Sequence, residues 1–263
     1  MLKKLIVIGT TVFMLISCAI SPTGRNQLNL IDTAELNDMG NQAFETLKKE
    51  KAIDKRRPIN DYVNCVANAI IRVSQSSVKQ WNVVVFLDES ANAFALPGGK
   101  VGVHTGLLKF ATNQHQLAAV IGHEIAHVLA NHSNERMSQE LLLEQGKVLV
   151  QALGDAGSPI GNELMQVLGL GAEVGIILPY SRAHESEADQ MGLDLMAKAG
   201  FDPRESITLW QNMSQDEGGQ PPEFFSTHPA HETRIARLKQ FMGKAMPFYQ
   251  QAKAQGKQPD CRL

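Results

Sequence analysis

Residues 120 to 129 contain the pattern His-Glu-x-x-His within an apolar stretch that has the spacing of a helix. Residues four apart lie on the same face of an α-helix, so the imidazoles of His123 and His127 can bind one metal ion. Glu124 lies about 100° around the helix from His123, where it can reach a water on the metal but is poorly placed as a ligand. The spacing predicts the zinc site of a peptidase, with Glu124 as general base.

A catalytic zinc usually has three protein ligands and one open position, so a second segment must supply the third ligand. Glu185 and Asp189 are four residues apart on one predicted helix face. One carboxylate can therefore bind zinc while the other accepts a hydrogen bond from a ligand histidine. The alternative is a solvated acidic face paired with Arg182. His132 lies about 180° around the helix from His123 and reaches the same ion only if the helix breaks.

The elements that must position these residues are mainly helices. Periodic apolar residues, together with capping residues such as Asp32 and Thr112, predict the ends of several of them. The predicted helices cover residues 32–47, 62–73, 113–132, 137–153, 162–178, 181–199 and 231–242, with 162–178 as a buried or lid helix. We therefore expect an α+β, mainly helical zincin-type (gluzincin) domain.

Between the second helix and the metal helix, residues 81–88, 93–96 and 100–105 have the composition of strands, and residues 97–99 form a Pro-Gly-Gly turn. They predict a small antiparallel sheet beside the metal helix. An extended substrate is expected to add to this sheet by backbone hydrogen bonds. The residues predicted to bind it are Gly99, Lys100, Val101, Gly102 and Val103.

The N-terminus has the pattern of a secretion signal. Lys3 and Lys4 precede an apolar run over residues 5–16, which is short for a membrane span, and Ser17 precedes Cys18. Residues 15–18 resemble a bacterial lipobox, which implies lipidation of Cys18; a retained transmembrane anchor is the weaker alternative. The expected organisation is a signal peptide over 1–17, a lipidated cysteine and tether over 18–31, and one metallopeptidase domain over 32–263.

The composition allows a sizeable hydrophobic core and gives little further information about function. The chain has 263 residues, 43% of them hydrophobic, and its formal net charge of −2 gives no support to nucleic-acid binding. With Cys18 lipidated, Cys65 and Cys261 remain. We expect them to form a disulfide in an oxidising compartment, and two free buried thiols are the alternative.

Four stretches together resemble a known family. They are residues 92–99 (Asn-Ala-Phe-Ala-Leu-Pro-Gly-Gly), the metal motif at 122–127, Ser-Arg at 181–182 with Glu-Ser-Glu-Ala-Asp at 185–189, and Thr-His-Pro at 227–229 with Arg234. They are similar to motifs of the HtpX and CAAX-prenyl-protease superfamily of zinc metallopeptidases. More narrowly, the chain resembles soluble bacterial outer-membrane lipoprotein peptidases of the LoiP and BepA kind, over about residues 20–242.

The resemblance implies roles for several residues around one Zn²⁺ per chain. Glu185 would be the third ligand, supported by Asp189 and Arg182. His228 and Arg234 would lie at the active site. His228 could stabilise the oxyanion or, as a neutral imidazole, fill the open zinc position and hold the enzyme at rest; a surface helix cap is the third alternative.

These features predict a zinc-dependent endopeptidase that cleaves unfolded or flexible segments of envelope proteins, as in protein quality control. The expected location is the periplasm, with a lipid anchor in the outer membrane of a Gram-negative bacterium and no transmembrane helix in the mature chain. The alternatives are a non-catalytic, chaperone-like zinc lipoprotein and a zinc amidase acting on peptidoglycan. Glu124 argues against the first, because a structural site has no use for a general base.

Overall fold

The computed structural model describes residues 18–153, 181–214, 224, 228 and 234–263. These residues are mainly helical with two small sheets, which confirms the α+β class. The helices are α1 (Thr33–Glu50), α2 (Arg57–Val73), α3 (Gln114–Leu129), α4 (His132–Leu153), α5 (Arg182–Lys198), α6 (Glu205–Ser214) and α7 (Arg234–Ala254). The strands are β1 (Cys18–Ile20), β2 (Asn26–Leu28), β3 (Asn82–Phe86), β4 (Ala93–Leu96) and β5 (Lys100–His104), and a 3-10 helix covers Thr105–Lys109.

The larger sheet has the strand order β3-β5-β4 and is mixed, which corrects the expectation of an antiparallel sheet. β5 pairs with β4 in an antiparallel hairpin and with β3 in parallel. β3 and β4 are consecutive in the chain but are not neighbours in the sheet. β5, the second strand of the hairpin, lies between them. The hairpin turn contains Gly98 and Gly99 at φ of 76° and 75°, where a residue with a side chain would be strained.

Short polar side chains cap the helices that carry the site. Asn113, and not Thr112 as predicted, caps α3 by accepting hydrogen bonds from the backbone amides two and three residues further on. Asp32 caps α1 in the same way, as predicted. Ser181 caps α5 by accepting a hydrogen bond from the amide three residues on. These caps fix where the two metal-site helices begin.

The metal helix ends earlier than predicted. α3 stops at Leu129 because Asn131 adopts a φ of 52°, a left-handed conformation that asparagine tolerates better than most residues. His132 then begins α4 in a new direction. The predicted helix over residues 113–132 thus contains α3, a break at residues 130–131 and the first residue of α4, and the break reorients His132 relative to α3.

α3 lies at the centre of the fold and packs against α2, α5, α6 and β4. Its contact with α5 is close because glycines meet there. A Cβ on Gly122 would lie 2.9 Å from the Gly192 carbonyl oxygen, and one on Gly192 would lie 2.8 Å from the His123 backbone nitrogen. Side chains at these positions would separate the helices. The glycine contact therefore brings the carboxylates of α5 within reach of the histidines of α3.

A disulfide joins Cys65 on α2 to Cys261 in the C-terminal segment, with a sequence separation of 196 residues. The backbone amide of Cys261 also donates a hydrogen bond to the side chain of Gln114 at the start of α3. In the chain-entropy model, closing so long a loop stabilises the fold by about 4 to 5 kcal/mol. The C-terminal segment is thereby held beside the helices of the core.

Residues 18–28, expected to be a tether, form an antiparallel ribbon of β1 and β2 that packs against α4. Apolar periodicity did not indicate this because polar side chains hold the ribbon. Gln27 is buried and donates to Glu135, and the Arg25 guanidinium donates to Glu135 and Glu187. Lipidation of Cys18 stays a prediction.

Within the part of the chain that the structure describes, no helix combines the length and apolar character needed to cross a membrane. Two predictions lie outside the described residues: the signal peptide over 1–17 and the buried or lid helix over 162–178. The last helix begins, within the described part, at Arg234 and extends to Ala254, beyond the predicted end at residue 242.

Candidate metal centre

Four buried side chains bring their donor atoms together at one point between α3 and α5: His123, His127, Glu185 and His228. His123 Nε2 lies 3.0 Å from His127 Nε2, 3.2 Å from His228 Nδ1 and 3.4 Å from Glu185 Oε2. Glu185 Oε1 lies 2.9 Å from His228 Nδ1 and 3.4 Å from His127 Nε2. The three donors predicted from sequence therefore meet, and His228 joins them.

This donor set suits zinc. Imidazole nitrogen and carboxylate oxygen are zinc ligands, and tetrahedral bonds of about 2.0 to 2.1 Å place neighbouring donors about 3.3 Å apart. The distances given above, from 2.9 to 3.4 Å, agree with that spacing. The charge also fits. Glu185 and Asp189 share the guanidinium of Arg234, and Glu124 is a third carboxylate beside the donor group, so a divalent cation would offset their negative charge.

Sequence spacing explains how these side chains are placed. α3 directs His123 and His127 to the same side, one turn apart. Glu185 lies in the first turn of α5, where Ser181 caps the helix. The close contact at Gly192 lets this first turn reach α3. The metal centre is therefore built from two helices that are far apart in sequence and closely packed.

Asp189 contacts His123. Its Oδ1 lies 3.1 Å from His123 Nδ1, the ring nitrogen that faces away from the donor group. Arg234 joins the carboxylates of Asp189 and Glu185 on α5, with Nη2 2.5 Å from Asp189 Oδ1 and Nη1 3.2 Å from Glu185 Oε2. Its guanidinium carbon lies 3.6 Å from the centre of the Trp210 ring. Arg234 thus neutralises buried carboxylates while its other face packs on an aromatic ring.

Glu124 lies beside the donor group without joining it. It is buried, and its Oε1 lies 3.3 Å from His228 Nε2. Apart from this contact, Oε1 accepts no hydrogen bond from the described residues, so it can also accept one from a bound water or substrate. Burial raises the pKa of Glu124, although His228, His123 and a hydrogen bond from the Ala95 amide oppose the rise. A raised pKa makes this carboxylate a stronger base.

The ionisation of the ligands follows from burial and from their neighbours. Burial lowers the pKa of His127 well below its ordinary value. Burial also disfavours charge on His123, but the carboxylates of Glu185 and Asp189 outweigh it and raise the pKa of His123 to about 9. Burial would raise the pKa of Glu185, yet the neighbouring histidines hold it well below its usual range. Glu185 is therefore ionised, as a metal ligand must be.

Two sets of predicted site residues lie elsewhere. Arg182 is exposed at the start of α5 and does not support the ligands; Arg234 has that position instead. β5 is the central strand of its sheet, so Lys100, Val101, Gly102 and Val103 already pair with strands on both sides, and Gly99 is in the hairpin turn. The substrate strand predicted over 99–103 is wrong for this reason. The edge strand on the side of α3 is β4.

Sequence reasoning also missed a group of buried polar residues behind His127. His132 contacts His127, and Glu187 contacts His132. Glu135 and His184 complete the group, which packs against the N-terminal ribbon. The available signals were the spacing of His132 five residues after His127, and of Glu187 three residues after His184 on the same helix.

The profile of Peptidase family M48 matches residues 59–242. The chain belongs to this family. The match covers the sheet, both metal-site helices and the start of α7, and it confirms the resemblance to the superfamily of zinc metallopeptidases. The donor group and the family together indicate one bound metal ion per chain.

Related proteins of known name agree with this family assignment. The chain is 35% identical over 212 residues to the mitochondrial metalloendopeptidase OMA1 of Schizosaccharomyces pombe, covering 79% of this chain and 61% of the relative. It is 33% identical over 253 residues to the mitochondrial metalloendopeptidase OMA1 of Bos taurus, covering 89% and 48%. It is 27% identical over 196 residues to the β-barrel assembly-enhancing protease of Yersinia pestis, covering 72% and 40%. The chain thus spans less than two thirds of each relative.

These comparisons correct the predicted location. The lipobox-like residues before Cys18 suggested the outer membrane of a Gram-negative bacterium, but the relatives named above with more than 30% identity are mitochondrial, and the bacterial relative is less similar. The expectation rested on a short apolar run and one cysteine. Such a pattern is too brief to outweigh similarity over most of the chain.

Proposed function

We propose that the chain is a zinc-dependent endopeptidase. The observation that supports this best is the position of Glu124, a buried carboxylate beside a donor group that suits zinc. Zinc supplies acidification of a water and polarisation of the scissile carbonyl. A site that only stabilised the fold would not need a carboxylate that lies beside its donors without joining them.

The roles of the chain's own residues follow from the geometry. His123, His127 and Glu185 hold the metal. Glu124 accepts the proton of the attacking water and returns it to the leaving amine, because its Oε1 lies 3.3 Å from the His228 ring beside the donor group and burial makes it more basic. Asp189 fixes the ring of His123 by accepting a hydrogen bond at Nδ1.

We propose that the substrate binds in extended form along β4. This strand pairs with β5 on one side only, within the described sheet. The backbone amide of His104 donates a hydrogen bond to the Asn92 carbonyl, so the alternation along β4 turns the Ala95 amide away from β5. There the Ala95 amide is close enough to Glu124 to lower the pKa of that carboxylate. A peptide added at this edge would pass beside the catalytic carboxylate. Such binding requires an unpaired backbone, so the favoured substrates are unfolded or flexible protein segments.

His228 has two roles that the geometry supports, and the surface cap is not one of them, because its side chain is 2% exposed. As a fourth ligand through Nδ1 it would close the metal centre and keep the enzyme at rest. Displaced by substrate, it would be free to donate to the oxyanion. Replacing His228 with alanine raises turnover in the first case and lowers it by up to about 10³-fold in the second.

The rival function is a non-catalytic zinc protein, since a closed set of four donors also describes a structural site. The test is Glu124→Gln, with the exposed Glu45→Gln as control. The proposal expects both variants to keep one zinc and the fold, while Glu124→Gln lowers casein cleavage by about 10² to 10⁴-fold. Casein cleavage at the wild-type rate by Glu124→Gln would refute this mechanism.

A further inference from the structure

A second buried polar cluster lies directly behind one of the metal ligands. His132 Nδ1 is 2.9 Å from Nδ1 of His127, and His132 Nε2 is 3.1 Å from Oε2 of Glu187. The His132 side chain is fully buried, and that of Glu187 is 3% exposed. We call His132 and Glu187 the relay, because together they connect His127 to a carboxylate on α5.

Hydrogen-bond directions in the relay follow from the role of His127. His127 turns Nε2 to the donor group, so its ring proton is on Nδ1, 2.9 Å from Nδ1 of His132, to which it can be donated. His132 must accept there, which leaves its own proton on Nε2, facing the Glu187 carboxylate. Each of these two hydrogen bonds thus fixes the tautomer of one histidine, and the Glu187 carboxylate, which can only accept, sets the donor-to-acceptor direction of both.

Glu187 is held in turn by the N-terminal ribbon. Thr23 donates a hydrogen bond to its Oε1 at 2.5 Å, and Arg25 Nε donates to its Oε2 at 3.0 Å. The same guanidinium makes two hydrogen bonds of 2.7 Å to Glu135. Gln27 spans from the ribbon to Glu135 and to the carbonyl of residue 130, where the chain breaks between α3 and α4.

These contacts exceed what packing alone requires. Burying two carboxylates with two histidines is costly unless every partner is in place, and replacing them with apolar groups would often be neutral for stability. The ribbon carries the cation that makes this burial possible. The cluster therefore has a role other than stabilising the core. The residue that it contacts on the side of the metal centre is His127, a metal ligand.

We propose that the relay positions His127 for metal binding, and that the N-terminal ribbon belongs to the metal centre through Arg25. The inference rests on the proposed function only in that it assigns His127 as a ligand. It makes His132 and Glu187 positioning residues, since neither reaches the donor group. It also connects residues 18–28 to the metal across more than 100 positions of sequence.

The test is the zinc dissociation constant of the full chain, measured by competition with a chromogenic chelator. His132→Leu removes both hydrogen bonds and should weaken zinc binding about 10 to 100-fold. His132→Asn keeps an acceptor where Nδ1 lies and should recover part of that loss. His115→Gln replaces a half-buried histidine on α3, the helix of His127, away from the cluster, and this variant should bind zinc as the wild type does.

A second readout separates positioning from a general loss of stability. With Co²⁺ in place of zinc, the visible absorption bands report ligand geometry, and we expect them to shift in His132→Leu and in Glu187→Gln but not in His115→Gln. The rise in Tm that zinc causes should also shrink in both relay variants. Arg25→Gln should give the same changes at a smaller size, about two- to tenfold in zinc affinity.

Glu187→Gln preserves the size of the side chain and keeps the test decisive where His132→Leu does not fold. Wild-type zinc affinity and an unchanged Co²⁺ spectrum in Glu187→Gln would overturn the relay. Neither readout involves proteolysis, so the relay can fail while casein cleavage stands. Conversely, a protein that binds zinc through the relay but cuts nothing would leave the inference intact and reject the proposed function.

Discussion

The two histidines of α3 are supported in different ways. His123 contacts a carboxylate directly, with Asp189 Oδ1 3.1 Å from its Nδ1. His127 reaches a carboxylate only through a second imidazole, that of His132, which contacts Glu187. α5 supplies both carboxylates, but from different faces. Both ligand histidines need a fixed ring with its proton on Nδ1. One residue, Asp189, provides this for His123, and two residues, His132 and Glu187, provide it for His127.

The difference arises from the packing of the helices. Asp189 is one turn after Glu185 on the face of α5 that meets α3, so one close helix pair suffices for His123. Glu187 faces away from that contact. The break at Asn131 turns His132 into the gap, and the N-terminal ribbon closes it from outside. Support of His127 therefore depends on four segments, and support of His123 mainly on two.

The largest effect should separate a ligand from a supporting residue on the same helix. We expect Glu185→Ala to lose stoichiometric zinc, because it deletes a donor atom from the metal centre. Glu187→Ala should retain zinc with lower affinity. Metal analysis after gel filtration measures both. Equal zinc content in Glu185→Ala and the wild type would contradict the ligand assignment.

An intermediate effect should compare the two kinds of support. Asp189→Asn keeps the shape of the side chain but weakens the hydrogen bond to His123, and zinc affinity should fall about 10 to 100-fold. This loss of zinc affinity should exceed that of Arg25→Gln, because Arg25 acts on His127 only through Glu187 and His132. Chelator competition on both variants gives the ratio. The reverse order would show that the indirect support is the more important of the two.

The smallest effect concerns the ribbon and depends on pH. Burial would raise the pKa of Glu135, but hydrogen bonds from Arg25 and the charge of His184 hold it below its ordinary value of 4.5. A lowered pKa means that Glu135 stabilises the fold above the ordinary value and that this contribution disappears as pH falls through the lowered one.

We therefore expect Glu135→Gln to reduce the free energy of unfolding by about 1 kcal/mol at pH 7 and by progressively less towards pH 3. Urea unfolding of wild type and variant across this range measures the difference. A gap between the two proteins that stays constant with pH would show that Glu135 contributes through packing and not through its charge.

Local spacing was enough to predict part of this site. His123, Glu124 and His127 follow from one helix, and Glu185 with Asp189 from another, because each set lies within two turns. The role of His132 depended on a break that one residue, Asn131, introduces. Asparagine is not specific enough to predict a break inside an apolar run.

The remaining misses involve contacts between distant segments. β5 has the composition of a substrate-binding strand, but whether a strand is central or at an edge depends on the order of pairing, which its residues do not encode. Arg182 was expected to support the ligands, but Arg234, which the resemblance places at the active site, contacts Glu185 because α7 packs against α5. The ribbon over 18–28 has little apolar pattern, since charged and amide side chains attach it.

The most direct test of the central claim is casein cleavage by the wild type and His228→Ala before chelation, after chelation and after the return of one equivalent of zinc. We predict that at least one of the two proteins cleaves casein, that chelation abolishes the cleavage, and that zinc restores it. Cleavage that persists after the metal is removed would contradict the account, as would two zinc-loaded proteins that both leave casein intact.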